Sequence, residues 1–96
     1  MELVDKQKIV PGSVVVSKAG RDKGKQFIVL AYDADKNYIE IVDGHIRKIE
    51  NPKKKKLKHV IITDTVIDKL AFKLNKGKSL QNAEIFKEIK KLNEED

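Results

Sequence analysis

Ninety-six residues, 40% hydrophobic and 38% charged, describe one small soluble globular domain, because a chain this short supports a single core and buries only about 60–65% of its unfolded surface. Lys and Arg outnumber Asp and Glu by 21 to 15, for a net charge of +6 and a pI near 9.5. The absence of Cys excludes a disulfide framework, a Cys-based zinc site and a thiol nucleophile, and the cytoplasm is the expected compartment.

The first residues, Met1-Glu2-Leu3-Val4-Asp5-Lys6, interleave acidic and apolar side chains and lack the basic start of an export signal. The longest apolar run, Phe27 to Tyr32, is six residues. A membrane span needs about 20, so neither export nor membrane insertion is expected.

Pro11-Gly12 precedes Ser13-Val14-Val15-Val16-Ser17, a short β-branched run that reads as a strand buried on both faces. Residues 26–32 form a second apolar run of strand length. The segment 33–37, Asp-Ala-Asp-Lys-Asn, has turn chemistry, since Asp and Asn bond their own backbone. Tyr38 to Val42 then alternates, with Ile39 and Ile41 on one face and Glu40 on the other, and ends at Asp43-Gly44. Ile46 to Ile49 reads as a short fourth strand and Leu57 to Thr63 as a fifth, separated by Asn51-Pro52 and a run of lysines. Short strands at intervals of about 8–12 residues suggest a small barrel or sandwich.

After Thr63 the apolar period changes from two to 3.6. Thr65 and Asp68 resemble a capping box for a helix whose face is Val66, Ile67, Leu70, Ala71 and Leu74, closed by Asn75-Lys76-Gly77. Ser79 signals a second helix, with Leu80, Ala83, Ile85, Phe86, Ile89 and Leu92 on one face and Glu84, Lys87, Glu88, Lys90 and Lys91 opposite. The tail, Asn93-Glu94-Glu95-Asp96, is expected to fray.

The excess charge is local. Residues 1–43 and 60–96 each balance seven basic against seven acidic side chains. Residues 44–59 carry Arg47, Lys48, Lys53, Lys54, Lys55, Lys56 and Lys58 against Glu50 alone, so the whole +6 resides there. A second concentration, Lys18, Arg21, Lys23 and Lys25, surrounds Gly20 and Gly24 and is offset by Asp22. The glycines permit positive φ and bring backbone amides close to an anion, while the side chains supply charge. If the two basic sites face one way, they neutralise several phosphates together and binding becomes steeply salt-dependent.

The inventory for catalysis is thin. His45 and His59 lie fourteen residues apart without a second ligand at metal spacing, and the turn before Gly44 accounts for Asp43. The segment Gly20-Arg21-Asp22-Lys23-Gly24-Lys25-Gln26 has three residues between its glycines where a P-loop has four, and Gln26 stands where that motif binds magnesium through Ser or Thr. Neither an enzyme nor a protein with a cofactor, a metal or a small-molecule substrate is expected.

The order of residues from Val14 through Ser17-Lys18-Ala19-Gly20-Arg21-Asp22-Lys23-Gly24-Lys25-Gln26 to Leu30 resembles a KOW motif, the strand-loop-strand element of ribosomal proteins and transcription elongation factors. The continuation from Tyr32 to Val42-Asp43-Gly44 resembles more narrowly the large-subunit ribosomal proteins of the L-fourteen-e type, in which a Gly-Lys loop leads into a hydrophobic strand, an acidic turn and a closing Val-Asp-Gly. The resemblance implies a mainly β fold with C-terminal helices: a small SH3-like barrel over about residues 12–63, followed by one or two helices over about 64–93. It also implies ribosomal or other structured RNA as the partner, with ribosomal proteins as further contacts. Gly20, Gly24 and Lys25 match the motif directly and Arg47 and Lys48 loosely, while Phe27 replaces a Gly common in other KOW motifs.

With five aromatic residues, most at core-like positions, the chain favours recognition of RNA shape and backbone over base readout. Tyr38 is the best stacking candidate, against a stronger expectation that it packs across strands. The alternative is a protein-interaction or transcription and translation factor module that uses the barrel and an exposed Ile85, Ile89, Leu92 helix face.

Overall fold

The computed structural model describes residues 9–94. Five antiparallel strands, β1 (Ser13–Ser17), β2 (Gln26–Asp33), β3 (Tyr38–Val42), β4 (Lys53–Lys56) and β5 (Val60–Val66), form one sheet in the order β4-β3-β2-β1-β5. Two helices follow, α1 (Asp68–Asn75) and α2 (Asn82–Glu94). The strand order forces the sheet to curl. β4 and β5 stand at opposite ends, yet only a 3-10 turn at Leu57–His59 joins them. In a flat sheet they would be about 19 Å apart, at about 4.8 Å per strand step. A tight turn of three residues spans only about 6 Å at about 2 Å per residue, so the ends are drawn together into a barrel.

Alternation along the strands serves two cores. Val15, Phe27, Val29, Ile39, Ile41 and Val60 fill the inside of the barrel with Ile9. Val14, Ile28 and Val42, one residue out of phase, point outward and are covered by Leu70 of α1 and by Ile85 and Ile89 of α2. Coverage on both faces explains why β1 and β2 read as continuous apolar runs. A bulge between Val29 and Ala31 shifts the β2–β3 register, so Tyr32 pairs with Ile39 and turns back to pack against the inner core. The β2–β3 turn uses the Asp33 carboxylate, which accepts the amides of Asp35 at 3.1 Å and Lys36 at 3.2 Å, and Asn37 adopts φ 59°.

The sequence expectations for β4, β5 and the start of α1 are corrected. Residues 46–49 are not a strand: the Asp43 carboxylate accepts the amides of His45 at 2.9 Å and Arg47 at 2.8 Å, and this loop leaves no ladder to join. The lysine run is instead the fourth strand, pairing Lys53 with Ile41, Lys54 with Glu40, Lys55 with Ile39 and Lys56 with Tyr38. The fifth strand begins at Val60, after the turn at Leu57–His59, and extends to Val66. Thr65 and Val66 therefore belong to β5, and α1 begins at Asp68 with no side-chain cap. Its other end is as expected: Gly77 N–H donates to Leu74 O at 3.2 Å and Lys78 N–H to Lys73 O at 2.9 Å.

α2 starts at Asn82 rather than at Ser79. Its start is built by Glu84, whose carboxylate accepts the Gln81 amide at 3.0 Å, one half of a capping box. Lys73 of α1 donates to the same carboxylate at 2.9 Å and holds it below its ordinary pKa, with the Gln81 bond helping. Ile85 and Ile89 are buried and Leu92 packs against them, so this face is not free to dock a partner. Phe86, by contrast, leaves the apolar stripe and is exposed, while Glu88 is buried with its carboxylate 3.3 Å from Lys69 and 3.8 Å from Lys91. Glu95 and Asp96 of the expected frayed tail lie outside the described residues, and α2 continues through Glu94.

Candidate nucleic-acid interface

The β1–β2 connection carries the first basic cluster. Ser17 N–H donates to Lys25 O at 2.9 Å and Gly24 N–H to Ser17 O at 2.7 Å, which closes the loop at its base. Gly20 and Gly24 take φ 78° and 87°, and a side chain at either would meet nothing within 4 Å, so this flank is open. The amides of Lys23, Gly24 and Lys25 are all spent on hydrogen bonds within the loop. They form no cradle for an anion; the positive field comes from the side chains.

The second basic region is split by its secondary structure. Successive side chains of a strand point to opposite faces, so Lys53 and Lys55 share the side of Ile41 and Ile39, whereas Lys54 and Lys56 lie with Glu40 and Tyr38. Lys53 reaches the first cluster: its Nζ donates to Asp22 Oδ2 at 2.9 Å. This bond holds the Asp22 carboxyl below its ordinary value, assisted by the charges of Lys53, Lys55 and Lys25. One acidic group thus ties the two basic segments together.

The result is a cleft of about 240 Å³ lined by Arg21, Asp22, Lys25, Phe27, Asp43, Ile46, Arg47 and Lys53. Its rim collects cations from three places in the sequence. Among the described residues Arg21, Lys25 and Arg47 make no ion pair. The remaining sequence candidates are dispersed. Lys54 borders a separate groove with Tyr32 and Tyr38, and Lys56 and Lys58 border another with Leu57 and Ile62 at the far end of β4. Lys18, Lys23 and Lys48 are exposed and line none of these grooves. Tyr38 is half-buried beside Lys56.

Two features of this region escape a linear reading. The loop 43–47 is pressed onto the start of α2: a side-chain carbon at Gly44, φ 78°, would fall on the Asn82 carbonyl oxygen and within 2.8 Å of the Phe86 nitrogen. The Asn82 carboxamide also accepts the Ile49 amide at 2.8 Å and donates to Glu50 at 3.0 Å, a bond that lowers the Glu50 pKa. Pinned in this way, His45 stacks on Phe86 with ring centroids 4.9 Å apart. The signals available in the sequence were faint: Ile46 is an apolar residue in a polar loop, and Phe86, about 100° around the helix from Ile85, stands at the margin of the apolar stripe.

Neither a family model nor a curated protein matches this sequence. Among solved structures, the chain is similar to a chain of the MjSpt4:Spt5 complex, crystallised in conformation B, with a TM-score of 0.55 and 22% identity. The likeness covers 71% of this chain and 44% of that one, so the present chain spans less than half the length of its structural counterpart. At that identity the comparison speaks to the fold. The architecture is a small SH3-like barrel with two C-terminal helices.

Among the described residues no three His, Asp or Glu side chains gather as a metal site would, and no helix is long and apolar enough to cross a membrane.

Proposed function

We propose that this protein is a non-enzymatic RNA-binding module of the ribosome or its associated factors, acting in the cytoplasm, and that it grips the phosphates of structured RNA at the cleft between the β1–β2 loop, the 43–47 loop and β4. The observation that carries this reading is the Lys53–Asp22 bridge, which brings Lys25, Arg21, Arg47 and Lys53 from two separate basic segments to one rim. A resident acid at such a site orders the cations while leaving the local balance positive. The L-fourteen-e resemblance of residues 12–63 supports ribosomal RNA as the class of partner, and the scarcity of aromatic residues favours recognition by shape and backbone. Lys18, Lys23, Lys48, Lys54, Lys55, Lys56 and Lys58 then contribute field around the cleft rather than one continuous surface.

Titration of a structured ribosomal RNA fragment at several salt concentrations tests this. Neutralising about five or six phosphates gives a slope of about −4.5 to −5.4 in log affinity against log salt, using the coefficient for B-form duplexes. A slope near zero overturns the proposal.

A second reading, a protein-interaction module in transcription or translation, draws on the likeness to a chain whose structure was solved as the MjSpt4:Spt5 complex. Its surface would be the barrel and the outer side of α2, since Ile85 and Ile89 are buried. Crosslinking that yields a protein partner and no RNA favours it.

A further inference from the structure

The stacked pair His45 and Phe86 is an unusual use of two rings on so small a domain. Phe86 is 37% exposed on a helix whose Ile85, Ile89 and Leu92 are packed, and His45 lies on its ring at an interplanar angle of 24°. Nothing in the fold requires this pair, since the inner and outer cores are complete without it. The pair is nevertheless held in place: Gly44 sits against the first turn of α2 and Asn82 fastens the residues that follow. Lys90 adds a cation 5.6 Å from the Phe86 centroid.

The position of the pair gives it meaning. It flanks a groove that also includes Lys25, Asp43 and Ile46, and these same three residues line the basic cleft. Gln26 lies in that groove too, and its Oε1 is the one buried side-chain polar atom without a partner among the described residues. A flat aromatic step therefore adjoins a phosphate-binding rim and shares its walls. Phe72 is more exposed, at 56%, but it carries Lys76 and Lys78 over its ring and does not line the cleft. Exposed π-faces beside tracked phosphates are the arrangement with which proteins hold splayed-out bases.

We infer that His45 and Phe86 form a stacking step for one unpaired nucleobase of the RNA whose phosphates lie at Lys25 and Arg47. This rests on the RNA-binding reading and sharpens its substrate class to a helix interrupted by a bulged or flipped-out nucleotide. The base continues the existing stack on His45, which is exposed, so no buried group has to move. Positive charge from Lys25, Arg47 and Lys90 complements the backbone on either side of that nucleotide.

Two RNA hairpins of equal length separate the outcomes, one fully paired and one carrying a single unpaired 2-aminopurine. The intact protein binds the bulged hairpin more tightly by roughly fivefold to a hundredfold, the equivalent of one stacked base, and quenches its fluorescence. His45→Ala and Phe86→Leu abolish both the preference and the quenching while retaining affinity for the paired hairpin; far-UV circular dichroism and the urea midpoint verify that the variants fold. Equal affinity of the intact protein for the two hairpins without quenching, or a preference unaffected by both substitutions, overturns the stacking step and leaves the phosphate cleft standing. Failure to bind either hairpin overturns the RNA-binding reading itself, and the step with it.

Discussion

The side-chain oxygen of Asn82 accepts the backbone N–H of Ile49 at 2.8 Å, across 33 residues of sequence. This bond fastens the loop after β3 to the first turn of α2 and so connects the outer helical layer to the rim of the basic cleft. A half-buried amide that loses its acceptor is expensive, because water cannot replace the bond freely.

Asn82→Ala is therefore expected to destabilise the fold by about 1–2 kcal/mol, through loss of the Ile49 and Glu50 bonds. Ser79→Ala, at an exposed position outside the helix, should change stability by less than about 0.5 kcal/mol. Urea denaturation of the two variants makes the comparison; equal effects would contradict the assignment of the helix start to Asn82.

Asp22→Asn bears on the cleft. The substitution removes the one acid that faces Lys53 and leaves a weaker, neutral acceptor. RNA binding is expected to tighten, with the salt dependence steeper by roughly one unit because an additional cation is available to a phosphate. Weaker binding would mean that Asp22 is needed to position Lys53, and an unchanged slope would remove Lys53 from the interface.

Glu84 and Asp22 both have depressed folded-state pKa values, chiefly through hydrogen bonds from Lys73 and Lys53. A depressed carboxyl contributes stability that is fully present above its unfolded value, here 4.5 for Glu84 and 3.8 for Asp22, and is lost as pH falls through the folded value. These pairs should add no pH dependence between about 6 and 8 and weaken the fold below about 4. Both are partly solvated, which limits each contribution to about 1 kcal/mol or less. In Lys73→Met the difference between the urea midpoints at pH 6 and pH 3 should shrink; a difference as large as in the parent protein would exclude the Lys73–Glu84 pair as its source.

Ile85→Ala tests the packing of α2. Ile85 is fully buried against Val14, Ile28 and Val42 from the sheet, so truncation should cost about 2–5 kcal/mol. A solvent-facing docking residue would lose less than about 0.5 kcal/mol, and differential scanning calorimetry resolves the two.

Much of the fold is legible in the sequence because its signals are local. The β-branched run 13–17, the alternation in 38–42 and the turn residues 33–37 each act over a few positions, and β1, β2, β3 and the β2–β3 turn stand within one residue of where those signals put them. The lysine strand was illegible for the opposite reason. An edge strand needs backbone hydrogen bonds from one neighbour only, and lysines suit an exposed edge because they discourage pairing with another chain, so β4 carries no apolar alternation to read. The start of α1 was displaced because Thr65, despite its good capping chemistry, lies within β5, where its amide donates to the Thr63 hydroxyl at 3.2 Å.

The sequence by itself determined that the net charge of +6 lies in residues 44–59, with a second basic cluster beside Gly20 and Gly24, because charge location is a property of residue order. Only the tertiary structure decided which of those cations meet. The curl of the sheet and the Lys53–Asp22 bond gather Arg21, Lys25, Arg47 and Lys53 around one cleft, while strand alternation turns Lys54 and Lys56 away, since contacts between distant segments depend on how the chain closes and not on the residues adjacent in it.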